Sequence, residues 1–242
     1  MSPSVGFDRL LELDWLDFVA SRLAATGNPK LAFAEARDLV SATTAGGASP
    51  HNASGKTMTV LARVWLKVAP GYVMVRDQAA AALSQLEPPD RLAIHWAMCE
   101  LAYPFYLDAA RTAGRALDLG DAITLSGFRS RLAEHWGALG TMPAASQRIL
   151  QMWSRWGVLN ETPDAGAYAP VPRRGISREA ATHVATIRVL AEPNQAIDLD
   201  DLQRPSDLFP FTLPDVRESL EKTDAIQVNR EGGSRWVARA VA

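Results

Sequence analysis

The sequence predicts a mainly α-helical fold, an N-terminal helical bundle (residues 1–103) followed by two tandem winged-helix units (104–175 and 176–242). Three observations predict it. Apolar residues recur at helical spacing through the first hundred positions. From Ala122 the texture changes, and with the preceding helix it runs helix, strand, helix, helix, strand, strand, the order of a winged helix. That order then returns about seventy residues later, with "DAITLSGFR" echoed by "QAIDLDDLQ" and "TMPAASQRI" by "TLPDVRESL".

Each element follows from local chemistry. "FDRLLELDWLDFVASRLAATG" carries Leu10, Leu11, Leu13, Val19 and Leu23, with Gly27 as its stop. "NPKLAFAEARDLVSA" opens with Asn28 as cap and Pro29 in the first turn, where a missing N–H costs nothing. "TTAGGASPHNASG" reads as a polar loop. Helical patterns resume in "KTMTVLARVWLKV", "VRDQAAAALSQL" and from Asp90 to about Leu101, until Pro104 breaks them; "PFYLDAARTAGRAL" is one more helix. Then come a β-prone "AITL", a helix "SGFRSRLAEHW" opened by Ser126, a turn "GALG" and a helix starting at Thr141 and Pro143. "GVLNE", "TPDAG" and "AYAPV" read as a β-hairpin. In the second unit the same logic gives a helix in "ISREAATHVATIRVLA", a strand in "AIDL", a short helix beginning at "DLQ", a helix in "TLPDVRESLEKT", and a hairpin from "AIQVN" through "REGGS" to "RWVARAV".

Composition bounds the function. The chain has 242 residues, is 48% hydrophobic and 21% charged, and so has material for a packed core. Its net charge of -2 excludes a basic footprint over the whole chain, but the charge is uneven. Between Ala122 and Leu190 eight arginines stand against four acids, a surplus of four positive charges; from Ala191 onward ten acids stand against six bases, a surplus of four negative ones. Cys99 is the single cysteine, which excludes an intrachain disulfide and a cysteine-based zinc site and fits a reducing, cytoplasmic setting. "MSPSVGFDRLLELDW" lacks the basic start and apolar run of a signal peptide. "LAIHWAMCELAYPFYLDAA" is interrupted by His95, Glu100, Pro104 and Asp108, and reads as buried helix, not a membrane span.

Few motifs suggest catalysis. "PHNASGKT" is P-loop-like, but Pro50 stands where the first glycine belongs and no strand precedes it; a loop leading into the next helix is the better account. Lys56, Arg63 and Lys67 form a small basic strip. His51, His95, His135 and His183 are too scattered for a metal pair, and His95 beside Trp96 reads as a hydrogen-bonded core residue. Glu12, Asp14 and Asp17 lie close together but read as a solvated face. No nucleophile elbow or His-Glu-x-x-His helix occurs, so no enzyme, metal or cofactor is expected.

The stretch "TMPAASQRILQMWSRWGVLNET" carries the functional expectation. At 3.6-residue spacing Ala145, Ile149, Trp153 and Trp156 share one face. Gln147, Arg148, Gln151 and Arg155 fall on the other, the face a winged helix turns to the DNA major groove. Arginine pairs with guanine and glutamine with adenine. Arg129 and Arg131 on the preceding helix and Arg173 and Arg174 at the far end of the hairpin, the wing, are placed to hold phosphates. All eight are expected on one protruding surface. In the second unit Asp215, Glu218 and Glu221 oppose phosphates, which leaves Arg230, Arg235 and Arg239 as its DNA candidates and favours packing or protein contact for its helix.

Over about residues 60–160, "RLAIHWAMCELAYPFYLDAA" followed by "MPAASQRILQMWSRWGVL" resembles the BrxA family of BREX phage-defence systems. That resemblance implies a small, mostly helical, non-enzymatic component of an antiviral operon. It also implies double-stranded DNA and the other protein subunits of a defence complex as partners. The competing expectations are a protein-interaction scaffold whose winged helices are docking modules, and a transcriptional regulator.

Overall fold

A computed structural model describes residues 5–43, 53–120, 122–137, 139–192, 196–203, 205–231 and 234–240. The chain is mainly helical, with small sheets, and among the described residues no single helix is long and apolar enough to cross a membrane. The first six helices are α1 (Leu13–Thr26), α2 (Pro29–Thr43), α3 (Ala53–Trp65), α4 (Val73–Ala82), α5 (Pro88–Ala102) and α6 (Pro104–Asp118). Their ends follow the sequence chemistry: Gly27 stops α1 at a φ of 59°, and the Asn28 Oδ1 accepts from the Lys30 and Leu31 amides to open α2. The polar loop expected before α3 lies largely outside the described residues, whereas Ala53–Thr57 of the P-loop-like stretch are already helical.

Next come β1 (Ile123–Thr124), α7 (Leu125–Trp136), α8 (Met142–Arg155), β2 (Leu159–Glu161) and β3 (Ala167–Pro170). The three strands pair antiparallel in the order β1-β3-β2, so the two helices sit between the first strand and the hairpin. The Thr124 hydroxyl, not Ser126, caps α7 by accepting from the Gly127 amide at 3.1 Å. Gly157, at a φ of 67°, turns the chain out of α8 into β2, a backbone state that side chains with a Cβ resist.

The last segment holds β4 (Arg174–Gly175), α9 (Arg178–Ala191), β5 (Ile197–Asp198), β6 (Phe211–Thr212), α10 (Arg217–Leu220), β7 (Ile226–Glu231) and β8 (Ser234–Arg239). Its sheet order, β5-β8-β7, repeats the topology of the first. One element differs from expectation. The helix predicted over Thr212–Thr223 shrinks to the four residues of α10, because Phe211 and Thr212 are drawn into a parallel pair with β4 and Pro214 cannot supply a helical N–H. That pair joins the segment to the chain just after the first hairpin.

The core is continuous across all three expected segments. Trp96 of α5 lies at its centre, stacked on Trp153 of α8 with centroids 5.0 Å apart. Tyr106 of α6 and Phe209 beside β6 each approach its ring edge-on at 5.4 Å. The Trp96 indole N–H donates to Glu100 at 2.9 Å and to the Asp207 carbonyl at 3.0 Å, and the Trp153 indole to the Tyr106 hydroxyl at 2.9 Å. His95 is the satisfied core residue its surroundings predict: Nδ1 accepts from Trp65 at 3.2 Å and Nε2 donates to Asp17 at 2.9 Å. Burial pushes its pKa down, against the pull of Asp17, so the ring stays neutral.

Beside Trp96 lies a buried ionic cluster the sequence did not reveal. Arg188 of α9 pairs with Asp207 and, at 2.6 Å, with Glu192; Arg111 of α6 pairs with Glu192 and stands 3.8 Å from Asp207. Glu100 of α5 is buried next to them, with one oxygen bound to Trp96 and the other without a partner among the described residues. Burial, and then the neighbouring Asp207, push its pKa well above the usual carboxyl range, against the opposing pull of Arg188, the Trp96 hydrogen bond and Arg111. A proton held more tightly in the folded state makes stability fall as pH rises from the ordinary value of 4.5 towards the folded one. Glu100→Gln mimics the protonated acid and removes that loss. Its unfolding free energy should gain on the parent's progressively as pH rises through that window. Urea titrations at pH 5, 6 and 7 test this, and a constant difference between the two proteins excludes it.

Candidate nucleic-acid interface

Helix α8 presents the two faces its sequence predicts. Ala145, Ile149, Trp153 and Trp156 are buried, while Gln147 and Arg155 are exposed and Arg148 and Gln151 half-exposed. The helix carries no acid from Met142 to Arg155. It does not protrude as a rod, however. Trp156 donates its indole N–H to the Leu11 carbonyl at 2.9 Å, which fastens the N-terminal segment along the last turn of α8. Between them opens a cleft of about 710 Å³, lined by Arg148 and Arg155 on one wall and by Arg9, Glu12, Asp14 and Trp15 on the other.

The eight residues singled out in the sequence are thus divided. Gln147, Arg148 and Gln151 have no side-chain hydrogen bond or ion pair among the described residues and remain available on α8. Arg155 is held by Glu12 at 2.8 Å. Arg129 donates to the Pro143 carbonyl at 2.8 Å, which ties α7 to the start of α8. Arg173 pairs with Asp118 at 2.8 Å. Arg174 turns inward and donates to the Gly157 carbonyl, just past the end of α8, at 2.8 Å, and to that of Trp156, the C-cap of α8, at 3.5 Å. Arg131 is exposed but faces another cleft, with Arg111 and Arg115 of α6. The expected single basic surface is therefore not formed. The physical reason is that nearby carbonyls and carboxylates claim arginines whose neighbours in space the sequence does not show.

The hairpin beyond α8 is likewise less basic than expected: Glu161 and Asp164 are its exposed charges, and both are acids. In the last segment Arg217 is spent on Asp215 at 2.6 Å, Lys222 on Glu218 at 2.7 Å and Arg230 on Glu221 at 3.0 Å, while Arg239 lies over the Tyr72 ring. The acidic cluster near the N-terminus is split, with Glu12 turned to Arg155 and Asp17 to His95 and Arg91. No group of three His, Cys, Asp or Glu side chains suited to a metal ion occurs among the described residues. Sequence reasoning missed the Glu12–Arg155 contact and the ionic cluster around Arg188. The one signal for the latter was a charge set inside an apolar helix, Glu100 in α5 and Arg188 in α9.

Comparison of the chain with protein-family models, with curated proteins and with solved structures finds no match.

Proposed function

We propose that this chain is a non-enzymatic double-stranded-DNA-binding protein in which residues 104–175 and 176–242 are tandem winged helices and the polar face of α8 meets the duplex. The observation that carries the reading is the acid-free face of α8, where Gln147, Arg148 and Gln151 stand free of internal partners among the described residues. The strand order β1-β3-β2 around α7 and α8, with α6 preceding, supports the reading, in which α8 takes the place of the second helix of a helix-turn-helix. The resemblance at "RLAIHWAMCELAYPFYLDAA" and "MPAASQRILQMWSRWGVL" extends the proposal to a BREX-like phage-defence component that works beside other protein subunits. In the second unit the helix that corresponds to α8 is the four-residue α10, and Arg217, Lys222 and Arg230 are paired with acids, which favours a protein-docking role for that unit.

Arg148→Ala with Gln151→Ala should weaken binding to a DNA duplex roughly tenfold and flatten the salt dependence by about one unit of slope. Arg174→Ala is the counterpart: it strips the end of α8 of its donor, so it lowers the melting temperature but leaves affinity unchanged. Fluorescence anisotropy at several salt concentrations, beside thermal melts, checks both. Parent-like binding by the double variant excludes α8 as the contact surface.

A further inference from the structure

The wall opposite α8 carries two acids, Glu12 and Asp14, beside Arg9, and the placement of Glu12 is specific. Val5, Phe7 and Leu11 are buried, and Leu11 is bound to Trp156, so the segment leading into α1 is fixed in place. Glu12 stands at the position preceding α1, yet its carboxylate makes no capping hydrogen bond there. Its side-chain partner is instead Arg155, 143 residues away, at 2.8 Å. Asp14 lines the same cleft, while Arg9 and Arg148 flank it.

Resting on the reading of α8 as a DNA-contacting helix, we propose that Glu12 is an affinity-setting residue of that surface. Its carboxylate occupies Arg155 as a phosphate would, and the DNA backbone must displace it. A guanidinium donates to carboxylate and phosphate oxygens through the same N–H groups, so the two compete for one site. The pair is open to solvent, with Arg155 55% and Glu12 40% exposed, and such pairs are weak and salt-screened. A duplex backbone, with its dense charge and release of counterions, therefore displaces the carboxylate, but less affinity remains than a free Arg155 would give. Asp14 adds repulsion beside it. The free protein is in this way held to weak DNA binding, and the restraint lies in the N-terminal segment rather than in α8.

Glu12→Gln in the full chain tests this, since the amide keeps the shape and loses the charge. Its affinity for a labelled DNA duplex should rise about three- to tenfold at low salt, and its salt slope should steepen by about one unit. The gain should vanish in Glu12→Gln with Arg155→Ala, the arm that separates a released arginine from a general change in charge. An unchanged melting temperature of Glu12→Gln verifies that the fold is intact. Equal, salt-sensitive binding by parent and Glu12→Gln overturns the role of Glu12 and leaves the DNA reading standing. So does a gain that survives removal of Arg155. Absence of salt-sensitive binding in every variant overturns both.

Discussion

Arg188→Met should lower the unfolding free energy by about 3–5 kcal/mol, the range for a buried ion pair that loses one partner. Arg188 is buried on α9, where it neutralises Asp207 and Glu192 and draws on Glu100. Methionine fills much of its volume but leaves buried Asp207, and Glu192 at the cleft beside it, without their nearest cation, and Arg111 alone cannot serve them all. The cost is that of stranded charge rather than lost packing, so Asp207→Asn in the same chain should return a substantial part of it. For a chain of this size the single change corresponds to a fall of roughly 6–20 °C in melting temperature. A parent-like urea midpoint for Arg188→Met shows that the cluster contributes no net stability.

Gly114→Ala should be the second most damaging change, although alanine is the better helix former. Gly114 lies within α6, and a Cβ there stands 1.8 Å from the Ser206 carbonyl oxygen and 2.7 Å from its carbon. The obstacle is backbone, so no side-chain rotation relieves it. The gain in helix propensity is about 1 kcal/mol. Overpacking costs about 1–3 kcal/mol or more, and here it also pushes residues 206–208 away from α6, carrying Asp207 from Arg188 and Arg111. Gly140→Ala, where nothing lies within 4 Å of the added carbon, is the control and should melt with the parent. A Gly114→Ala protein as stable as the control shows that α6 and the 206–208 turn separate without cost.

The helices that carry the fold were legible because their signals are local. Asn28 and Pro29 open α2, Gly27 and Gly157 end α1 and α8, and the hairpin turn ending in Gly166 lies between the two strands where the sequence places it. The two faces of α8 follow from spacing alone, and the structure keeps them. Legibility fails where a local propensity competes with a distant partner. "TLPDVRESLEKT" has a helical pattern, but its first residue, Thr212, pairs with Gly175 of β4 thirty-seven positions earlier in the chain, and only α10 remains.

What the amino-acid sequence determined by itself is the main helices and the two hairpins, their order, and which side chains of α8 face inward. These depend on periodicity, caps and turns within a few residues of one another. Only the tertiary structure decided what the charges do. It gave Arg155 to Glu12, Arg174 to the end of α8, and Arg188 to Asp207. An ion pair forms where folding leaves two charges a few ångströms apart, and that distance is set by the packing of the whole core around Trp96, not by the neighbours of either residue along the chain.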